Sequence, residues 1–349
     1  MLALTQSVQA IVRDYNQFKT WYPRFGFIFD SILHQNCTRE YDIYLYGTES
    51  NVSTPWDAGG GEYSRYTLPV IQCLIENSSE FTKASLSVSQ LVLGLAPTLL
   101  TLAGASSLEM SLLAVIGKRP LLTTILAIGS PAIHMSRAFD AYEPSEVLAA
   151  ERASRYRQNW DTSASRLRRY GGRSVVAFQY VLAAAAAANV SIVNWELGTQ
   201  AINMLTPSFI YYPLVWTFIG LAVHLVGAGI LHIRARRLPA SEWSLRHHSI
   251  KRYFALEFTL LGKQENGGPV CIQWADESVL FLAASWFHSL LCLVHLVFGT
   301  IVFSGVMFIA PEDAFFILVR YAASCLICRV ILVFEVAGLR EAYNRPNTC

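Results

Sequence analysis

Several ionisable side chains fall where water is scarce. His224, His295 and Arg329 each lie within three residues of the centre of an apolar segment, 213–233, 279–310 and 314–338 in turn. His288 precedes His295 by seven residues, two helical turns, and so shares its face. A charged group at the centre of a membrane helix costs about 2.5–3.5 kcal/mol on insertion scales, so each of these asks for a partner or a task. One arrangement supplies both. His224, His295 and Arg329 form a polar pocket at a common depth, with His288 lining it and Glu335 giving a counter-charge across a helix contact. Such a pocket binds an anionic or oxygenated substrate, or relays protons. In the plainer arrangement Arg329 bonds backbone carbonyls or a neighbouring histidine and only fixes helix packing, and spacing alone favours this second one.

Other spacings say less. Cys325-Leu326-Ile327-Cys328 has redox-motif spacing, yet in an apolar helix two small packing residues account for it. No Asp-rich diphosphate motif, HExxH, Asp-His-His-Cys, GxSxG or P-loop occurs. Prenyl transfer, zinc proteolysis, acyl transfer of the Asp-His-His-Cys kind and ATP-driven transport all lose support. There is no zinc-ligand spacing and no basic-aromatic strip, so no metal, cofactor or nucleic-acid partner is implied. Enzymatic activity is not assigned.

These side chains need apolar helices to carry them. The 349 residues are 53% hydrophobic and 15% charged, too apolar for an ordinary soluble domain. Val279 to Ala310 runs 32 residues without Lys, Arg, Asp or Glu. At the helical rise this exceeds the roughly 30 Å of a bilayer's hydrocarbon core. Pro311-Glu312-Asp313 reads as a tight turn, after which 314–338 crosses back. Further spans are expected at 84–108, with Gly94 and Pro97 as kink points, at 174–195 and at 213–233. The run Ala183 to Ala188 permits close helix approach and predicts that 174–195 is the most enclosed span. Residues 109–135, broken at Lys118-Arg119-Pro120 and at Gly129-Ser130-Pro131, are too short to cross and read as re-entrant or interfacial.

Charge sets the expected sidedness. Eight Arg lie between 137 and 173, and seven Lys or Arg between 234 and 277. The tail 339–349 carries Arg340 and Arg345, whereas 196–206 and 311–313 have no Lys or Arg. Basic loops stay cytoplasmic, which puts 137–173, 234–277 and the C-terminus inside. Residues 1–83 hold three N-glycosylation sequons, at Asn36, Asn51 and Asn77. Cys37 and Cys73 share this hydrophilic region and pair if it faces an oxidising space. An extracytoplasmic N-terminus and an inner 137–173 require an odd number of crossings between 84 and 136. One crossing plus a short non-crossing piece satisfies that. The opening residues lack a basic stretch followed by an apolar core, so no cleavable leader is expected.

The stretch Cys73 to Ala132 resembles a group of multi-pass integral membrane proteins of filamentous fungi. The likeness concentrates in Leu93-Gly94-Leu95-Ala96-Pro97-Thr98, Lys118-Arg119-Pro120-Leu121 and Gly129-Ser130-Pro131-Ala132. That group has no assigned activity, so the resemblance implies a fungal membrane protein and no catalytic residue. It also implies that Arg-Pro before a short apolar helix is a built feature.

The sequence thus predicts an all-α polytopic transmembrane helix bundle of five spans plus a short re-entrant or interfacial helix. Residues 1–83 form a small extracytoplasmic region and 84–349 the membrane domain, in the plasma membrane or a secretory-pathway membrane. Its partners are the lipid bilayer and, through the basic loops, a cytoplasmic protein. The function read first is that of a non-enzymatic sensor, scaffold or accessory protein. The alternative is a membrane-embedded enzyme or permease for a lipophilic small molecule that uses the His/Arg pocket.

Overall fold

The computed structural model describes residues 16–47, 64–134, 148, 155–237, 257–261 and 272–344. Asn51, residues 137–147 and 149–154 of the first basic loop and most of the second lie outside the described residues. Ten α-helices follow one another: α1 Pro23–Gln35, α2 Thr38–Tyr46, α3 Thr67–Glu76, α4 Glu80–Ala103, α5 Ser107–Ser111, α6 Pro120–Gly129, α7 Arg155–Thr199, α8 Tyr212–Arg234, α9 Val279–Ser304 and α10 Pro311–Tyr343. Among the described residues five stretches are long and apolar enough to cross a membrane: α4, residues 171–199 of α7, α8, α9 and α10. α7 breaks at Gly172, whose φ of 48° is one that L side chains rarely adopt.

The ends of these helices differ from the sequence reading for local reasons. Val279 to Ala310 is not one helix. It stops at Ser304, because Val306–Met307 (β6) pairs antiparallel with Ile202–Asn203 (β3). Pro311, Glu312 and Asp313 are not the turn. They form the first turn of α10, where proline needs no donor partner and acidic side chains meet the positive helix end. The span expected to close at 108 ends at Ala103, where the chain leaves the helix to make a short strand. The alanine run does not make its helix the most enclosed. Of its apolar window 28% is buried, against 39% in α4 and α10. Ala183 and Ala186 face inward while Ala184, Ala185 and Ala188 are exposed, so one face meets protein and the other is left to lipid.

The chain divides into two compact units. The first comprises residues 1–99, 191–216 and 297–321, so it groups the N-terminal region with parts of the long helices. Its core is aromatic: Phe18, Phe29, Tyr44 and Phe308 are buried together with Leu33, Val70, Ile71 and Leu74. Phe308 has a φ of 67°. Edge-on packing against Phe29 (5.1 Å) and Trp21 (5.8 Å) holds that strained backbone in place. A Cys37–Cys73 disulfide ties α3 to the α1–α2 junction. Burial, with Glu196 nearby, pushes the Tyr22 phenol far above its ordinary range, so it stays neutral.

The second unit comprises residues 100–190, 217–296 and 322–349. Its distinctive part is the excursion between residues 105 and 134. α5 runs on into a π-helical turn, Leu112–Ile116. Lys118, at φ 58°, reverses the chain, and α6 runs back. Ala105–Ser106 (β1) then pairs parallel with Ile133–His134 (β2). Parallel pairing means the chain leaves the excursion travelling in the direction in which it entered, so two short helices add no net reversal. Elsewhere in the unit, Ala235–Arg237 (β4) pairs antiparallel with Ile272–Trp274 (β5), joining the chain after α8 to the chain before α9. Arg234 strengthens that junction with Glu277 at 2.8 Å and lies over the Phe281 ring.

Candidate functional site

The second unit holds two buried polar clusters. In the first, α8 presents Gly220, His224 and Gly227 along one face, at helical spacings of four and three. α9 answers with His288 and His295, and both lie within electrostatic reach of His224. The glycines let the helices close. A Cβ on Gly220 would sit 2.7 Å from the Pro131 carbonyl oxygen and 3.3 Å from the His295 ring. One on Gly227 would sit 3.1 Å from His288 Nε2 and 3.1 Å from Ser111 Oγ. The excursion supplies the rest of the lining. His295 Nε2 donates to the Pro131 carbonyl at 2.9 Å, and His288 Nε2 shares a 2.9 Å hydrogen bond with Ser107 Oγ. Cys292 Sγ lies 3.9 Å from the His288 ring.

His224 is 3% exposed, and neither ring nitrogen has a hydrogen-bond partner among the described residues. A neutral imidazole carries one donor and one acceptor, and leaving a buried polar group unmet costs about 1–3 kcal/mol. Leucine at this position would carry no such cost, so the histidine is a candidate for use rather than packing. Among the described residues no group of three or more His, Cys, Asp or Glu could hold a metal ion. The two ring nitrogens of His224 can donate to and accept from a neutral oxygen or nitrogen on a small molecule.

The second cluster centres on Arg119, which is wholly buried. Its Nη1 lies 2.8 Å from Glu335 Oε2, an electrostatic contact rather than an aligned hydrogen bond, and donates to Gln179 Oε1 at 3.3 Å. Gln179 Nε2 donates to Glu335 Oε1 at 2.6 Å and closes that side. Arg119 Nε donates to the Glu257 carbonyl at 2.9 Å. The Glu257 carboxylate caps α6 by accepting from Leu121 N (3.3 Å) and Leu122 N (3.0 Å), and takes a third hydrogen bond from Tyr180 Oη at 2.5 Å. A carboxylate at a helix N-terminus meets both free N–H groups and the positive end of the dipole.

The residues expected to form one pocket are therefore divided. His224, His288 and His295 come together. Arg329 is bound instead by Glu109, on the part-exposed rim of the unit, and Glu335 belongs to the Arg119 cluster. Arg119, Gln179, Tyr180, Glu257 and Ser107 were not singled out from the sequence as site residues. An arginine before proline in an apolar stretch was a visible signal. Glu257, 138 residues from Arg119, left none. Of the sequon asparagines, Asn36 and Asn77 are exposed in the first unit, one beside each half of the disulfide. Cys292, Cys325 and Cys328 are free thiols and buried.

Five helices of this length and hydropathy define the chain as a multi-pass membrane protein in contact with the lipid bilayer. No family model, curated protein or solved structure matches it.

Proposed function

We propose that the protein is a non-enzymatic membrane receptor or permease for a small, uncharged lipophilic molecule. That molecule carries a hydroxyl or carbonyl group, which the cluster of His224, His288 and His295 receives. The observation that carries the reading is His224: buried, with both ring nitrogens unmet, opposite two histidines already engaged by the excursion. Neutral imidazoles suit a neutral head group, and the closest guanidinium that the sequence offered, Arg329, is taken up by Glu109. Broken backbone at membrane depth is tolerated where it lines a site, and the bonds of Ser107 and Pro131 to two of the histidines support this reading.

The test is a thermal-unfolding screen in detergent against a panel of lipophilic alcohols, sterols and ketones. At least one compound raises the midpoint of the wild type and leaves His224→Leu unmoved. If every stabilising compound acts equally on His224→Leu and His295→Leu, the site is packing only.

The proposed sidedness puts residues 1–83 outside the cytoplasm with the basic loops and C-terminus inside, in a plasma or secretory-pathway membrane. It is supported by the charge pattern, the exposure of Asn36 and Asn77, and the neighbouring disulfide. Changing Asn36, Asn51 and Asn77 to Gln one at a time, with glycosidase treatment, is expected to remove one mobility step per used site. An unchanged mobility throughout counts against a glycosylated outer region.

A further inference from the structure

We infer that the first two turns of α1 rest in the bilayer surface at the end where α10 begins, with Phe27 and Ile28 seated between headgroups and acyl chains. The contact is separate from the histidine cluster, and it holds whichever side of the membrane that end faces.

α1 buries one face and leaves the other open. Phe29 and Leu33 enter the aromatic core, with Phe25 packed beside them. The open face can be read twice, because residues seven apart lie on the same side of a helix. In its first turns it presents Pro23, Phe27 and Ile28. Two turns later, at the angles of Phe27 and Ile28, it presents His34 and Gln35, with Asp30 between. Phe27 is 84% exposed. Two open apolar side chains would by themselves call for no explanation. Their position on the molecule does.

That position names the occupant. The Arg24 N–H, one of the first-turn donors that a helix leaves free, donates to Asp313 Oδ2 at 3.2 Å. The bond fixes the start of α1 at the first turn of α10, a membrane-crossing helix of the same unit. Glu312 and Asp313 mark the water end of that span. Phe315 and Phe316 follow at once, both exposed, and begin its lipid-facing surface. At the helical rise Phe27 and Ile28 stand about 5 Å along α1 from Arg24. Interfacial helices bury their apolar faces to about 5–10 Å, and Phe and Leu are side chains they insert. His34 and Gln35 stand about 15 Å away, so α1 leaves the lipid as its open face turns polar. α4 repeats the arrangement within the unit. Phe81, in its first turn, is 77% exposed beside the Glu80–Lys83 pair.

Spin-label accessibility tests the contact in the full-length protein, reconstituted in phosphatidylcholine nanodiscs. Cys271 and Cys349 are changed to Ser, and the label is placed on Phe27→Cys, Ile28→Cys, His34→Cys or Leu91→Cys in turn. Cys292, Cys325 and Cys328 are buried, and the parent without a new thiol supplies the blank. Leu91, exposed at the middle of α4, is the lipid reference, and the exposed His34 is the water reference. Oxygen concentrates in lipid, whereas a water-soluble nickel chelate stays out of it. The oxygen-to-nickel accessibility ratio at 27 and 28 is expected to be at least about threefold that at 34 and below that at 91, as suits side chains in the headgroup–acyl boundary. A ratio at both positions no higher than at 34 overturns the contact, because the patch then faces water. Low accessibility to both reagents also overturns it, because a protein partner or a second copy then covers the patch. If Phe27→Cys is not recovered folded, Ile28→Cys decides by the same criterion.

Discussion

The two units bury polar groups under different terms. In the first, a disulfide and a cluster of aromatic rings set the structure, and the buried atoms left unmet among the described residues belong to neutral side chains: Gln17 Oε1, Trp21 Nε1 and Tyr22 Oη. In the second, a wholly buried arginine, two buried carboxylates and a fully enclosed histidine occupy the interior, and Arg119 and His224 retain unmet nitrogens. Aromatic packing and a cross-link give permanence with little chemistry. Buried charge gives little net stability and is weak evidence for a purely structural role. The contrast teaches where to look for chemistry: in the unit whose interior holds charge and unmet nitrogens, rather than in the one fastened by a disulfide and packed rings.

The sharpest way to break this comparison is to strip one partner from the buried charge cluster. Arg119→Leu leaves Glu335 uncompensated and is expected to cost about 3–5 kcal/mol in apparent stability. The double change Arg119→Leu with Glu335→Leu should recover most of that loss in a thermal-unfolding double-mutant cycle. If the double variant is as damaged as the single, the pair is not the organising charge of the unit.

Reducing the disulfide, or changing Cys37 and Cys73 to Ser, is expected to cost about 2–5 kcal/mol. Proteolysis within residues 16–76 should speed up, while N-ethylmaleimide labelling of the buried Cys328 thiol in detergent stays at the wild-type rate. An increase in both would merge what the comparison keeps apart.

Gly129→Ala has a smaller expected effect. Its methyl meets Cys328 Sγ at 2.7 Å, with Ala187 N at 3.1 Å, so overpacking costs about 1–3 kcal/mol and Cys328 labels faster. Smallest is Arg320→Leu. The Arg320–Glu196 pair is part-exposed, so its loss should change stability by less than about 1 kcal/mol.

Sequence alone carried the class of the protein and the existence of five spans, because length and hydropathy over 20 or more residues admit few other structures. Their ends were harder. Val306–Met307 is as apolar as the helix before it, and only its pairing with Ile202–Asn203, far away in the chain, ends α9 at Ser304. The three histidines were legible because His224 and His295 sit at the middles of their apolar segments and His288 shares the helix face of His295. Arg329 was misgrouped because its partner, Glu109, lies in the irregular piece whose path the sequence could not supply. The Arg119 cluster was legible only as an odd Arg-Pro break. Its meaning depends on Gln179, Glu257 and Glu335, which come together by folding and carry no shared pattern.

The central claim is that the enclosed histidine is kept for use at a cost in stability. The direct measurement is the unfolding midpoint of ligand-free His224→Leu beside the wild type in the same detergent. The account predicts a higher midpoint for the variant, because leucine removes two unmet nitrogens, worth about 1–3 kcal/mol. A lower midpoint would show that His224 is holding the helices together, and would contradict it.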